Sequence, residues 1–323
     1  MSDFLITVLI PVYNEENQIG ESLYIINKIL MENGINHEFL LVDDGSKDNT
    51  WGKIKEASNT TPGINAIKLS RNFGKESALC AGLEVASGDA CVIIDADLQH
   101  PPQMIPEMVK LWRESGFDVI EGVKSSRGKE KLVNKMGAGL FYNLLKRSSG
   151  IDLRMASDFK LLDKKVIEAW RRMGERNTFF RGMSAWVGYK RASLPFQVAE
   201  RKTGNSKWSI LRLIKLAINA ITSFSSLPLQ IVTFLGVLFL IGSFLLGIQT
   251  LFMKIANIAV SGFTTVILLQ LIIGSALMIS LGIIGTYIAK IYEEVKYRPR
   301  YLVSEKITST ENKNGKDQQK DEC

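Results

Sequence analysis

Val92-Ile-Ile-Asp-Ala-Asp-Leu-Gln-His-Pro-Pro102 is the stretch from which the rest of the chain can be read. Its first three residues are apolar and β-branched with no polar alternation, the pattern of a strand buried on both faces. Asp95 and Asp97 follow one residue apart, and Pro101-Pro102 end the strand and open a helix. Two carboxylates at the end of a buried strand are costly unless a cation offsets them. A divalent cation carrying phosphates would do so, and open α/β sheets bind ligands at that end of their strands. Asp-x-Asp alone leaves a second reading open, a pair of solvated turn carboxylates.

Working outward, apolar runs at Phe4–Val12, Phe39–Val42, Ile64–Leu69, Cys91–Ile94 and Asp118–Val123 predict five strands. Between them the spacing predicts helices at Glu16–Asn33, Thr50–Ser58, Lys75–Ala86 and Pro102–Ser115. The first carries Ile19, Leu23, Ile26 and Leu30 on one face. Strands and helices alternating at this pitch predict a Rossmann-like α/β domain with a mostly parallel sheet. Farther on, a short strand at Asp158–Asp163 leads into a helix to Met173, Phe179–Trp186 forms another short element, and Val187–Glu200 is extended.

Two basic amphipathic helices are expected at Lys129–Ser148 and Trp208–Phe224, each either lying in a membrane interface or packed on the protein. Ile231–Met253 and Phe263–Ala289 carry no charge and are long enough to cross a bilayer. Arg212 and Lys215 flank one side of the pair and Lys290, Lys296, Arg298 and Arg300 the other, while the connection holds only Lys254. The positive-inside rule then puts both termini and the α/β domain in the cytoplasm. The expected organisation is an α/β domain over 1–205, a juxtamembrane helix over 206–226, two spans within 227–291, and a cytosolic strand or tail over 292–323 that is disordered from about 304.

The net charge of +7 over 323 residues fits basic flanks beside a membrane better than nucleic acid. Cys80, Cys91 and Cys323 have neither disulfide nor metal spacing, so reduced thiols are expected, and His37 and His100 are too few for a His-rich zinc site. The first apolar run has no charged segment ahead of it and is broken at Pro11 and Asn14, so no signal peptide is expected.

Asp43-Asp44 and Asp95-x-Asp97 end two neighbouring strands and should face one crevice. Mg²⁺ or Mn²⁺ takes carboxylates together with phosphate oxygens, which points to a nucleotide diphosphate there. Gly74-Lys75-Glu76-Ser77 is no phosphate loop, because Leu69 stands at the required glycine and Glu76 where Ser or Thr belongs. Pro11-Val-Tyr-Asn-Glu15 takes the place of a dinucleotide glycine fingerprint, which argues against a dehydrogenase.

Ile10-Pro-Val-Tyr-Asn-Glu15, Val42-Asp-Asp-Gly-Ser46, Arg71-Asn-Phe-Gly-Lys75 and Asp95-Ala-Asp-Leu-Gln99 resemble the motifs of inverting family 2 glycosyltransferases with a GT-A fold. Ser157-Asp-Phe, Phe180-Arg-Gly182, Arg201-x-x-Gly-x-Ser-Lys-Trp208 and the two C-terminal spans narrow the resemblance. Together they resemble polyprenyl-phosphate glycosyltransferases, relatives of dolichol-phosphate mannose synthase and bactoprenol glucosyltransferases. The resemblance implies that Pro11, Tyr13, Glu15, Val42, Asp44, Lys75, Asp95, Ala96 and Gln99 bind the nucleotide sugar. Asp95 and Asp97 would hold Mg²⁺ or Mn²⁺, and Asp158 would act as a base or position the acceptor. Arg201 and Lys207 would close over the phosphates during catalysis. Lys124 stands where relatives often carry arginine, so the grip on the lipid phosphate falls to Lys124 or Arg127, beside Arg201 and Lys207. The implied reaction moves glucose from UDP-glucose onto undecaprenyl phosphate, with UDP-GlcNAc or GDP-mannose as alternative donors. A homo-oligomer (a tetramer by resemblance) and a flippase partner are also implied. A reading of another class is a non-catalytic, membrane-anchored nucleotide-sugar-binding partner of a flippase.

Overall fold

The computed structural model describes residues 4–124, 157–175, 180–196, 222, 227–256 and 262–309. The two predicted amphipathic helices, the basic loop at Arg201–Trp208 and the tail from 310 lie outside them. Two compact units are present: one takes in the described residues up to 196 and again from 298, the other the described residues from 222 to 297.

The first unit is built on an eight-stranded mixed sheet in the order β7-β5-β6-β4-β1-β2-β3-β8. The strands are β1 (Ile6–Val12), β2 (His37–Asp43), β3 (Ile64–Leu69), β4 (Ala90–Ile93), β5 (Val119–Lys124), β6 (Lys160–Asp163), β7 (Arg191–Phe196) and β8 (Val303–Ile307). β1 pairs in parallel with β2 and β4, and β2 with β3, so the four apolar strands of the N-terminal half form a doubly wound core. β6 runs antiparallel between β4 and β5, and β8 antiparallel along β3, which makes the sheet less uniformly parallel than the strand–helix alternation implies.

Helices α1 (Ile19–Glu32), α2 (Thr50–Thr60), α3 (Lys75–Val85) and α4 (Ile105–Ser115) connect the core strands. α1 buries the Ile19, Leu23, Ile26 and Leu30 stripe read from its spacing. α4 follows a 3₁₀ turn at Pro102–Met104 and stops at Gly116, whose φ of 62° suits glycine. After β6 come α5 (Lys164–Arg171), capped by Asp163, and the short α6 (Phe180–Trp186).

The tail does not become disordered at 304, as its polar composition suggests. Val303–Ile307 is a strand on the β3 edge, and its register runs from Ala66 opposite Ile307 to Leu69 opposite Val303. Glu305 accepts hydrogen bonds from Trp51 Nε1 at 2.9 Å and Lys55 Nζ at 2.8 Å. Ser70 N–H donates to the Leu302 carbonyl at 2.8 Å, and Arg300 donates to the Met173 carbonyl at 2.7 Å. Charged residues on a short edge strand blunt it against stray pairing, which is why its sequence reads as a solvated tail.

The second unit contains α7 (Leu227–Ile255) and α8 (Phe263–Val295). Within them Pro228–Ile255 and Leu269–Val295 have mean hydropathies of 2.6 and 2.1, and neither apolar window is buried by protein. Helices of this length with unburied apolar surface are candidate membrane spans, since water would leave that surface uncompensated.

Candidate active site

The C-terminal ends of β1, β2 and β4 open into one cavity of about 430 Å³. Pro11, Tyr13, Glu15, Asp44, Lys75, Asp95, Ala96 and Asp97 line it, together with Val12, Asn72, Gly74 and Ala78. Three loops are tied together to make it. Asn14 adopts a left-handed φ of 55°, its N–H donates to Ser46 Oγ at 2.9 Å, and its Oδ1 accepts the Lys47 N–H at 2.9 Å. Asn is one of the few side chains that tolerate this backbone. Asp44, only 3% exposed, receives the Phe73 N–H at 2.7 Å and the Gly74 N–H at 2.9 Å, so the loop after β2 clamps the loop after β3. Burial pushes the Asp44 carboxyl up, against those two backbone donors.

Gly45 closes the same junction. Its φ is +67°, and a Cβ there would stand 2.4 Å from the Arg71 carbonyl carbon. Gly45→Ala is therefore expected to cost about 2 kcal/mol or more, the sum of left-handed strain and a backbone clash. A urea melt checks this, and an unchanged midpoint would show that the loops part without cost.

Asp95 and Asp97 flank Ala96, whose carbonyl is pinned by Ser22 Oγ at 2.5 Å. Leu98 then takes a φ of 52°, a turn that ends the segment, and Gln99 N–H donates to Asp97 Oδ1 at 3.1 Å. Lys75, the first residue of α3, reaches both Asp95 oxygens, at 2.6 Å and 2.8 Å, and lies 3.3 Å from Asp158 Oδ2. Burial works against the Lys75 charge, but Asp95 and Asp158 outweigh it and raise its pKa. Burial also raises the Glu15 carboxyl, helped by Asp97, Asp48 and Asp95.

Asp158 is gripped from the other side by Arg181 in a two-pronged fork, Nε to Oδ1 at 2.7 Å and Nη2 to Oδ2 at 2.8 Å. Burial would raise the Asp158 carboxyl, but Arg181, Lys75 and Lys160 overcome it and hold the group well below the usual carboxylate range. A carboxylate so held is a weak proton acceptor, which favours positioning over base chemistry.

Val42 is buried beneath the cavity, and Gln99 is half-buried next to Asp97. Lys124 ends β5, while Arg127, Arg201 and Lys207 fall outside the described residues. Sequence reading missed Asn72 and Gly74 as lining residues, although both lie inside Arg71-Asn-Phe-Gly-Lys75 and the φ of 98° at Gly74 is a glycine signal. It also missed a buried ionic support. Lys160 Nζ donates to Glu121 Oε1 at 2.9 Å and to Ser184 Oγ at 2.7 Å, and Ser184 in turn donates to the Arg181 carbonyl at 3.2 Å. Its signal was a glutamate inside Val119-Ile-Glu-Gly-Val123 and a lysine opening Lys160-Leu-Leu, charges where apolar residues are expected.

Among the described residues no three His, Cys, Asp or Glu side chains are grouped to hold a metal ion by themselves. Asp95 and Asp97 nevertheless fit a hard divalent cation of the kind that takes one or two carboxylates and completes its shell with substrate phosphates.

Residues 7–170 match the sequence model of glycosyl transferase family 2. The chain belongs to that family. Relatives extend the likeness over more than nine-tenths of the chain. The uncharacterised glycosyltransferase YkcC of Bacillus subtilis is 37% identical over 309 residues, 95% of each chain. The SfII prophage-derived bactoprenol glucosyl transferase of Shigella flexneri is 35% identical over 92% of this chain and 97% of its own. Among solved structures, glucosyl-3-phosphoglycerate synthase from Mycobacterium tuberculosis in complex with UDP is 22% identical over 69% of this chain and 79% of that one, with a TM-score of 0.46. The family 2 glycosyltransferase described here joins a mixed α/β unit to two candidate membrane spans.

Proposed function

We propose that this glycosyltransferase moves a sugar from a nucleotide diphosphate donor, UDP-glucose first among the candidates, onto the phosphate of a polyprenyl phosphate at the cytoplasmic membrane face. The observation that carries the reading is the cavity at the ends of β1, β2 and β4, where Asp95 and Asp97 stand beside Lys75. Two unburied apolar helices in the same chain, and relatives named bactoprenol glucosyl transferases, support a lipid acceptor.

In the reaction, an acceptor phosphate oxygen attacks the anomeric carbon as the bond from that carbon to the donor's β-phosphate oxygen breaks, and the anomeric configuration inverts. Mg²⁺ or Mn²⁺, held by Asp95, Asp97 and the diphosphate, would supply charge neutralisation of the leaving group. Pro11, Tyr13, Glu15 and Asp44 frame the nucleoside, and Gln99 stands next to Asp97 near the sugar. A phosphate monoester is already mostly ionised at neutral pH, so no strong base is required. That agrees with an Asp158 locked by Arg181 and used to position the acceptor. Arg201 and Lys207 would close over the phosphates, with Lys124 or Arg127 on the lipid phosphate.

Orientation follows the flanking charges and gains support from the sheet. β8 lies after both apolar helices and pairs with β3, which precedes them, and that pairing supports a topology with both flanks on one side of the membrane. Cysteines placed on exposed α1 positions are expected to escape an impermeant thiol reagent added outside intact cells, and labelling there would overturn the orientation.

Purified full-length protein with polyprenyl phosphate and a panel of labelled UDP- and GDP-sugars tests the reaction. Transfer from UDP-glucose that stops with EDTA is expected. Turnover untouched by EDTA would remove the metal, and donor binding without turnover would favour the non-catalytic reading.

A further inference from the structure

Lys75 occupies the cation position of its own active site. Its ammonium bridges both oxygens of Asp95 at 2.6 Å and 2.8 Å, the carboxylate that a divalent cation would need. Asp158 does not depend on Lys75 to the same degree, because Arg181 already forks both of its oxygens. Among the described residues Asp97 has no cation partner and only the Gln99 N–H as a donor. One half of the Asp-x-Asp pair is therefore neutralised from within, and the other is open.

We propose that Lys75 is a resident counter-ion that sets the order of binding: in the free enzyme it denies Asp95 to divalent cations, so that the cation binds together with a nucleotide diphosphate and not ahead of it. This rests on reading the cavity as a metal–diphosphate site. A cation arriving alone must displace an ammonium from Asp95 and then sit beside it, a like-charge contact with only two protein carboxylates in return. With a diphosphate present, Lys75 gains an anionic partner as it leaves Asp95. It need not travel far, since its Nζ is already 3.3 Å from Asp158. The exchange is within the reach of a side-chain rotation, because the Lys75 side chain is 38% exposed at the start of α3.

Mn²⁺ binding to the full-length protein in detergent, followed by the electron paramagnetic resonance of free Mn²⁺, tests this without turnover. Wild type is expected to bind Mn²⁺ at least about tenfold more weakly alone than with UDP. Lys75→Met should tighten Mn²⁺ binding without UDP by at least about tenfold, and Lys75→Arg, which keeps a cation against Asp95, should not tighten it. Thermal melts confirm that both variants fold. If Lys75→Met takes up Mn²⁺ no better than wild type without UDP, while UDP still strengthens binding, the counter-ion role is wrong and the site reading stands. If UDP brings no Mn²⁺ to any of the three proteins, the metal–diphosphate reading itself fails, and this inference with it.

Discussion

Asp97→Asn is expected to lower sugar transfer by about a thousandfold while leaving the melting temperature unchanged. Asp97 is exposed at the cavity, and its one hydrogen bond among the described residues, from the Gln99 N–H at 3.1 Å, can be kept in asparagine because the amide oxygen also accepts. The substitution therefore removes a charge and little else. Asp95→Asn is the less clean experiment, since it also releases Lys75 from its 2.6 Å contact. Initial rates at saturating donor and acceptor decide the matter. A variant within tenfold of wild type would take Asp97 out of the reaction, and with it the hard-cation reading of the Asp-x-Asp pair.

The second large effect is on stability. Glu121 is 1% exposed and accepts from Lys160 at 2.9 Å and from Arg191 at 2.5 Å, while Lys160 is fully buried. Glu121→Leu leaves the Lys160 ammonium in the interior without its counter-charge, a loss of about 3–5 kcal/mol. Adding Lys160→Met should restore most of it, because an apolar pair of similar volume needs no desolvated charge. The pH dependence has a definite sign. Burial already lowers the Lys160 pKa against the pull of Glu121, and losing Glu121 lowers it further. The unfolded chain then binds more protons than the folded one between that lowered pKa and the ordinary lysine value. Stability of the single variant rises with pH across that window and is flat in the double variant. Urea melts at about pH 7 and about pH 9.5 read out both effects. Equal stability of the single and double variants at neutral pH would show that Lys160 sheds its proton at little cost. Transfer should also suffer, because Lys160 reaches the Arg181 backbone through Ser184.

The central part of the fold was legible because its signals are local. Largely apolar runs mark β1 to β4, and Ile64–Leu69 has the same bounds in sequence and structure. The floor of the cavity was legible for the same reason, since Pro11, Asp44, Asp95 and Asp97 each end such a run. What was hidden depends on pairs distant in sequence. β8 is recognisable only once β3 offers it an edge, and nothing local in Val303-Ser-Glu-Lys-Ile307 announces a partner near residue 67. The fork of Arg181 on Asp158 joins two residues from separate elements, which no local pattern announces. Lys160 and Glu121 went unpaired in the sequence because a sequence cannot show that two strands bring them face to face.

The position of β8 also sets a schedule for biosynthesis. Ser304 and its partner Lys68 are 236 residues apart, and both apolar helices are made between them. While those helices are being synthesised, the β3 edge has no neighbour on that side, and the Asn72–Gly74 wall of the cavity lacks the Ser70–Leu302 bond beside it. A nascent chain is thus kept from completing its sheet until both apolar helices have been made. In the proposed topology, a chain that inserted only one of the two helices would carry β8 to the far side and never complete the sheet. The edge strand would then act as an inspection step, by which correct insertion is a condition for a finished enzyme.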